Sequence, residues 1–134
     1  MPPAQILAEA RTIAVVGASP KPWRASHQVM RYLLEQGYRC IPVRPRDCDE
    51  VLGEPCATSL AEIEESIDLV DVFRRPEFCP EVAREAVAAG AKALWLQSGI
   101  VSPEARRITE EAGLDYVEDE CTMVIHRRHL RGHS

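Results

Sequence analysis

The stretch of this chain best equipped for chemistry is Gly17-Ala18-Ser19-Pro20-Lys21, with Arg24 three residues further on. Small residues let a backbone turn tightly and expose its N–H groups, and cations nearby favour a negatively charged ligand. Just before this stretch, Thr12 to Val16 is a short apolar run rich in β-branched side chains, the pattern of a strand buried on both faces in a parallel sheet. A helical pattern follows a few residues later. A strand that ends at Gly17 and turns into a helix leaves helix-start amides pointing into the crevice at the carboxyl edge of the sheet, where the helix dipole also attracts anions. Lys21 and Arg24 add formal charge there. The chemistry is anion binding, and the expected ligand is a nucleotide or another phosphate-bearing molecule.

A second cation group narrows the ligand. A full dinucleotide fingerprint reads GxGxxG, with an acidic residue about twenty positions on to hold a ribose diol. Here only the first glycine is present, and the next strand ends in Val43-Arg44-Pro45-Arg46 with no carboxylate before Asp47. Arginine at that edge suits a phosphorylated ribose, as in coenzyme A with its 3′-phosphate or NADP with its 2′-phosphate. Arg74 and Arg75, after a later strand, are further candidates for a ligand phosphate, since charge-assisted arginine contacts are strong and directional.

These residues need elements to position them. Residues 4–11 are expected to form a short helix, and Ser26 to Glu35 another, with Val29, Met30, Leu33 and Leu34 at helical spacing and Gly37 as its stop. Arg39 to Pro45 reads as a short strand whose prolines are unusual for a central position, although Pro42 could sit near its end. Asp47 to Leu52 is polar and turn-like, and Ser59-Leu60-Ala61-Glu62 has the capping-box pattern for a short helix to about Glu65. Asp68 to Phe73 is the next strand. A helix carrying Val82, Ala83, Ala86 and Val87 follows, with Pro80 in its first turn and Gly90 at its end. Ala91 to Gln97 is a buried strand, and Ser102-Pro103 starts a helix that stops at Gly113. Leu114 to Val117 is a last short strand, and the tail from 119 to 134 is expected to contain a C-terminal helix. Strand and helix alternate from end to end, which predicts an α/β fold: a Rossmann-like, doubly wound, mainly parallel five-stranded sheet forming one domain over residues 1–134.

Composition excludes several classes. The chain has 134 residues, long enough for a real core but short for a separate substrate domain. A net charge of -5 argues against a chain-wide nucleic-acid footprint, which calls for a clustered positive excess. No stretch approaches the roughly 20 apolar residues of a membrane span, and the N-terminus lacks the basic and apolar regions of a leader, so a cytoplasmic location and no membrane partner are expected. Cys40, Cys48, Cys56, Cys79 and Cys121 form no CxxC pair and leave an odd count, so reduced thiols are expected rather than a disulfide framework or a zinc ribbon. His126, His129 and His133 could meet on a helix, but a solvated tail accounts for them more simply, and no metal site is assigned.

Four segments taken together resemble a known family. Ile13 to Pro22, Glu50-Val51-Leu52-Gly53-Glu54, Asp71-Val72-Phe73-Arg74-Arg75 and Gly90 to Gly99 are similar, in unbroken order, to the small stand-alone CoA-binding proteins. These are related to the nucleotide-binding domain in the α subunit of succinyl-CoA synthetase. The resemblance implies a domain that binds coenzyme A or an acyl-CoA at the carboxyl edge of its sheet, without a demonstrated catalytic activity. Carried over by position, Gly17, Ala18, Ser19 and Lys21 are the phosphate-binding turn, with Arg24 and Ser26 near the helix start. Val43 and Arg44 meet the adenosine end, Phe73 and Arg74 form the opposite wall, and Gln97 with Gly99 lies nearest the pantetheine. The chain departs from the family at Asp119-Glu120-Cys121, where Asp-Arg-Cys is common, and at Ile125-His126, where an acidic residue commonly precedes the histidine.

Three functional classes follow. The first is a non-catalytic CoA-binding or regulatory module, with a protein partner still to be identified; no residue is assigned a catalytic role. The second is the CoA-binding half of a split acyl-CoA synthetase whose partner supplies the phosphohistidine loop. The third is a small NADP-dependent oxidoreductase, for which no Tyr-x-x-x-Lys or similar proton-donating set is present.

Overall fold

In the computed structural model, which describes residues 1–131, five parallel strands form one twisted sheet with helices on both faces. The strands are β1 (Thr12–Val16), β2 (Arg39–Val43), β5 (Leu69–Val72), β6 (Ala93–Leu96) and β7 (Asp115–Val117). Between β2 and β5 a small hairpin is made by β3 (Glu50–Val51) and β4 (Glu54–Pro55). The helices are α1 (Pro3–Glu9), α2 (Ala25–Glu35), α3 (Cys79–Ala88), α4 (Pro103–Glu111) and α5 (Thr122–His129). The order across the sheet is β2-β1-β5-β6-β7.

Alternation along the strands sorts the core into two layers. Ile13, Val15, Leu69 and Trp95 point to the face covered by α1, α2 and α5, where they pack with Leu7, Met30, Leu33 and Ile125. Ala14, Val16, Val70, Leu94 and Leu96 point to the other face and meet Val82, Ala83 and Ala86 of α3 and Ala105 of α4. Every residue from Ile13 to Val16, Leu69 to Val72 and Ala93 to Leu96 is buried. That explains why these strands read as apolar runs rather than as alternating patterns.

The chain leaves β1 toward β2 on one side, and later returns to place β5 on β1's other side. The strand order therefore reverses at β1, and the crevice between the ends of β1 and β5 is the topological switch point where open α/β sheets bind ligands.

Several local expectations change. Pro42 is accommodated because β2 is an edge strand, whose outer side has no strand to receive an N–H; its carbonyl accepts from Ala57 N–H at 2.9 Å. The segment read as a polar turn is a hairpin, with Leu52 and Gly53 at φ of 53° and 81°, the two left-handed residues that a tight hairpin turn requires. The capping box is replaced. A single 3₁₀ turn spans Leu60–Glu62, Ser59 makes no side-chain cap, and the Glu62 carboxylate accepts from the backbone N–H and hydroxyl of Thr58. The hairpin also overturns the expectation of five reduced thiols, because it brings Cys48 and Cys56 together as a disulfide with Cα atoms 6.0 Å apart. Cys40, Cys79 and Cys121 are free.

The tail forms α5 and is not a solvated appendage. His126 is buried, its Nδ1 lies 2.9 Å from the Tyr32 hydroxyl, and its ring meets Tyr32 and Tyr38 edge-on. His133 lies outside the described residues. Among the described residues, no group of three or more His, Cys, Asp or Glu could hold a metal, and no helix is long and apolar enough to cross a membrane.

Candidate functional site

Gly17 is fixed by a close approach. Its φ is +88°, and a Cβ there would lie 3.0 Å from the Phe73 carbonyl oxygen and 3.3 Å from Arg74 Cδ. Only glycine fits where the end of β1 passes beside the end of β5. The chain then turns through Ala18 and Ser19, both buried. Ser19 Oγ accepts from the Lys21 N–H at 3.1 Å, and the Ser19 carbonyl lies 3.0 Å from His27 Nδ1. A carbonyl only accepts, so His27 carries its proton on Nδ1 and ties the turn to the first turn of α2.

That helix begins without a side-chain cap. Arg24 occupies the N-cap position in an extended conformation, and no protein acceptor among the described residues takes the N–H groups of Ala25 or Ser26. Uncapped amides at a helix start are a ready anion site. A cavity of about 290 Å³ lies in front of them, lined by Gly17, Ser19, Lys21, Arg24, Ala25, Ser26, Arg44 and Phe73.

The cavity continues across the sheet edge. An adjoining space is lined by Ala18, Pro45, Arg46 and Arg74 and shares Gly17, Arg44 and Phe73 with the first. A third cleft of about 200 Å³ shares Pro45 and Arg74 with it and runs between Val16 and Val43 on the sheet and Val82, Glu81 and Glu85 on α3, with Phe78 at its side. The three make one groove over the ends of β2, β1 and β5.

Charge is distributed unevenly along the groove. Lys21, Arg24, Arg44, Arg46 and Arg74 form no ion pair among the described residues. Arg44 is nevertheless oriented, donating from Nη1 to the Ala18 carbonyl at 3.3 Å and from Nε to the Arg46 carbonyl at 3.1 Å. The Arg74 guanidinium lies 4.4 Å from the centre of the Phe78 ring, and Lys21 Nζ lies 5.9 Å from the ring of the exposed Trp23. Glu81 and Glu85 sit at the opposite end, and burial with the neighbouring Glu81 charge raises the Glu85 carboxyl above its ordinary value. A ligand with phosphates at one end and a neutral, hydrogen-bond-donating ring at the other matches this polarity.

Ten of the twelve residues expected at the site line this groove: Gly17, Ala18, Ser19, Lys21, Arg24, Ser26, Val43, Arg44, Phe73 and Arg74. Gln97 and Gly99 are elsewhere. The Gln97 side chain is buried and donates from Nε2 to Asp71 Oδ1 and to Thr122 Oγ1, the latter at 2.9 Å. Gly99 donates its N–H to Asp119 Oδ1 at 2.7 Å. Trp95 Nε1 donates to the Glu120 carbonyl at 2.8 Å, so this corner is held together by its own polar groups.

Sequence reasoning did not place Ala25, Pro45, Phe78, Glu81 or Glu85 at the groove. Phe78 closes a 3₁₀ turn (Pro76–Phe78) whose direction no spacing encodes. Asp71 carried a signal, as a lone charge in the run Leu69-Val70-Asp71-Val72. It is fully buried, accepts from Gln97 and from the Thr122 hydroxyl at 3.0 Å, and desolvation pushes it up to about 7. Cys79, beside Arg74, is no exposed nucleophile: burial pushes its thiol up to about 11, and its Sγ lies 3.5 Å from the Arg75 carbonyl.

A doubly wound parallel sheet with a glycine turn, an uncapped helix start and, among the described residues, cations without an ion pair at its switch point has the features of the phosphate-binding α/β domains. The chain belongs to the CoA binding domain family, whose model matches residues 11–127. It is 43% identical over 122 residues to the protein YneT of Bacillus subtilis, covering 91% of this chain and 90% of that one. A Thermus thermophilus structure, cell-free ID.343, superposes with a TM-score of 0.90 at 43% identity, covering 96% of this chain and 98% of that one. Acetate--CoA ligase [ADP-forming] I of Archaeoglobus fulgidus is 25% identical over 125 residues, which are 86% of this chain but 18% of the ligase.

Proposed function

We propose that the chain binds coenzyme A or an acyl-CoA in this groove and acts in the cytoplasm as a non-catalytic binding or regulatory module. The observation that carries the reading is the convergence of the free α2 amides with Lys21, Arg24, Arg44 and Arg74, none of which forms an ion pair among the described residues, on one cavity at the switch point. The diphosphate sits over the α2 start, and Arg44 with Arg46 takes the 3′-phosphate. The adenine lies between Val43 and Val82, its amino group toward Glu81 and Glu85. The pantetheine leaves the groove into solvent, free for a partner protein to read the acyl group.

Calorimetric titration of ligand-stripped protein with acetyl-CoA, dephospho-CoA and NADP at fixed salt tests this. Acetyl-CoA is expected to bind well ahead of the other two. NADP winning would overturn the ligand while keeping the arginine edge, and no binding by any of them would overturn the site.

The alignment to the Archaeoglobus ligase supports a second reading, in which this chain is the CoA-binding half of a split acyl-CoA synthetase. On that reading, a partner chain copurifies with it, and the pair makes acyl-CoA from a carboxylic acid, CoA and a nucleoside triphosphate. Inactivity of the reconstituted pair would exclude it.

A further inference from the structure

The chain from Arg44 to Ser59 builds one wall of the groove from both of its ends. Arg44, Pro45 and Arg46 line it at the start, and Thr58 and Ser59 at the finish. Between them the segment closes on itself through the Cys48–Cys56 disulfide. Its two halves are not equally held. The second half is tied to β2 by the Val43–Ala57 bridge, by Arg44 N–H to the Ala57 carbonyl at 2.9 Å, and by the Arg39 guanidinium on Glu54 at 2.8 Å. The first half, residues 45–49, lies outside any strand, and Asp47 sits at a φ of 55°. It leans on the second through Cys56 N–H to the Asp49 carbonyl at 3.0 Å, through two residue pairs of β3 and β4, and through the disulfide. A two-residue ladder is marginal by itself. Both sulfur-bearing residues are only partly buried, within reach of a small reagent.

We infer that Cys48 and Cys56 are a thiol–disulfide modification site that sets the affinity of the groove, with a low-molecular-weight thiol or its disulfide as the co-reactant. The inference rests on the reading of the groove as the CoA site. In the reducing direction one thiolate attacks a cysteine Sγ, breaking the protein disulfide, and the other cysteine leaves as a thiolate and takes up a proton. A second thiolate attacks the small-molecule sulfur of the mixed disulfide. That releases the remaining cysteine and yields the small molecule as its own disulfide. Oxidation by a small disulfide reverses both steps. With the bond closed, residues 45–49 are held, and Arg46, whose carbonyl orients Arg44 Nε, is presented to the ligand in advance. With it open, that ordering must come from ligand binding, and affinity falls.

Free CoA carries a thiol and would itself reduce the bond, so the probe is acetyl-CoA. Oxidised protein, made with glutathione disulfide, and protein reduced with a phosphine are titrated in parallel, with alkylation and peptide mass mapping to count free thiols. The expected result is two extra alkylated thiols at Cys48 and Cys56 on reduction, and affinity lower by about tenfold, with Cys48→Ser matching the reduced protein in either condition. Affinities equal within twofold, or failure of the oxidant to join these two cysteines, would overturn the inference. If acetyl-CoA binds neither form, the CoA reading fails, and amide exchange at Cys56, whose N–H bonds the Asp49 carbonyl, decides the switch alone. Slower exchange in the oxidised protein supports it; equal rates overturn it.

Discussion

Asp71 gives the sharpest test of the physical account. It lies in the middle of β5, fully buried, with Gln97 and Thr122 as its hydrogen-bond partners. Desolvation is the larger effect and raises its carboxyl from 3.8 to about 7, against the two hydrogen bonds, which act to lower it. The folded protein therefore holds a proton that the unfolded chain gives up. Folding stability contributed by this group is complete below about pH 4, drains away as pH rises, and is gone above about 7. Each pKa unit corresponds to about 1.4 kcal/mol, so the whole range carries about 4 kcal/mol, a large fraction of a typical domain's stability.

Asp71→Asn keeps the shape of the protonated acid. Its carbonyl accepts from Gln97 and its amide donates to Thr122, without a charge to lose. Urea unfolding of both proteins from pH 4.5 to 8.5 reads the effect. His126, lowered by burial and by Arg131, slopes the other way, since stability falls as pH drops through 6.5. Both proteins carry it, so the difference between them isolates Asp71. The advantage of Asp71→Asn is expected to grow with pH by about 3–4 kcal/mol across that range. A constant difference would refute the reasoning, because it would mean that the carboxylate is stabilised in place and α5 does not cover a neutral acid.

Other outcomes follow from the groove. Lys21→Ala and Arg44→Ala are each expected to weaken acetyl-CoA binding by about 1.5–3 kcal/mol, read by calorimetry, with Arg44→Ala also erasing any preference over dephospho-CoA. Gly17→Ala places a methyl against the Phe73 carbonyl at a left-handed φ, so unfolding should be easier by at least about 2 kcal/mol and ligand binding lost together with it. Tyr32→Phe removes the partner of His126 Nδ1 in a buried setting, and a loss of about 1–2 kcal/mol in urea unfolding, largest above pH 6.5 where the imidazole is neutral, checks that α5 is anchored there.

The amino-acid sequence by itself determined the order of the main strands and helices and the glycine turn after β1. Runs such as Ile13 to Val16 and Ala93 to Leu96 can be stable only between two helical layers, and Gly17 followed by Ser19 and Lys21 carries its chemistry within a few residues. Such information is local, because backbone preference and burial act over one strand or one turn. Tertiary structure decided what lies across the groove. The reversal of strand order at β1 brought Phe78, Glu81 and Glu85 of the α3 region opposite Val43, an encounter across more than thirty residues that no spacing encodes. It also turned Gln97 away from the groove. A glutamine at the end of a strand can serve either face, and here the buried Asp71 carboxyl, whose other donor is the Thr122 hydroxyl, draws it inward, since leaving Asp71 Oδ1 unpaired in the core would cost more than a contact at the rim. The Cys48–Cys56 pair has the same origin: eight residues of separation allow many geometries, and the two left-handed residues at 52 and 53 select the hairpin that joins them.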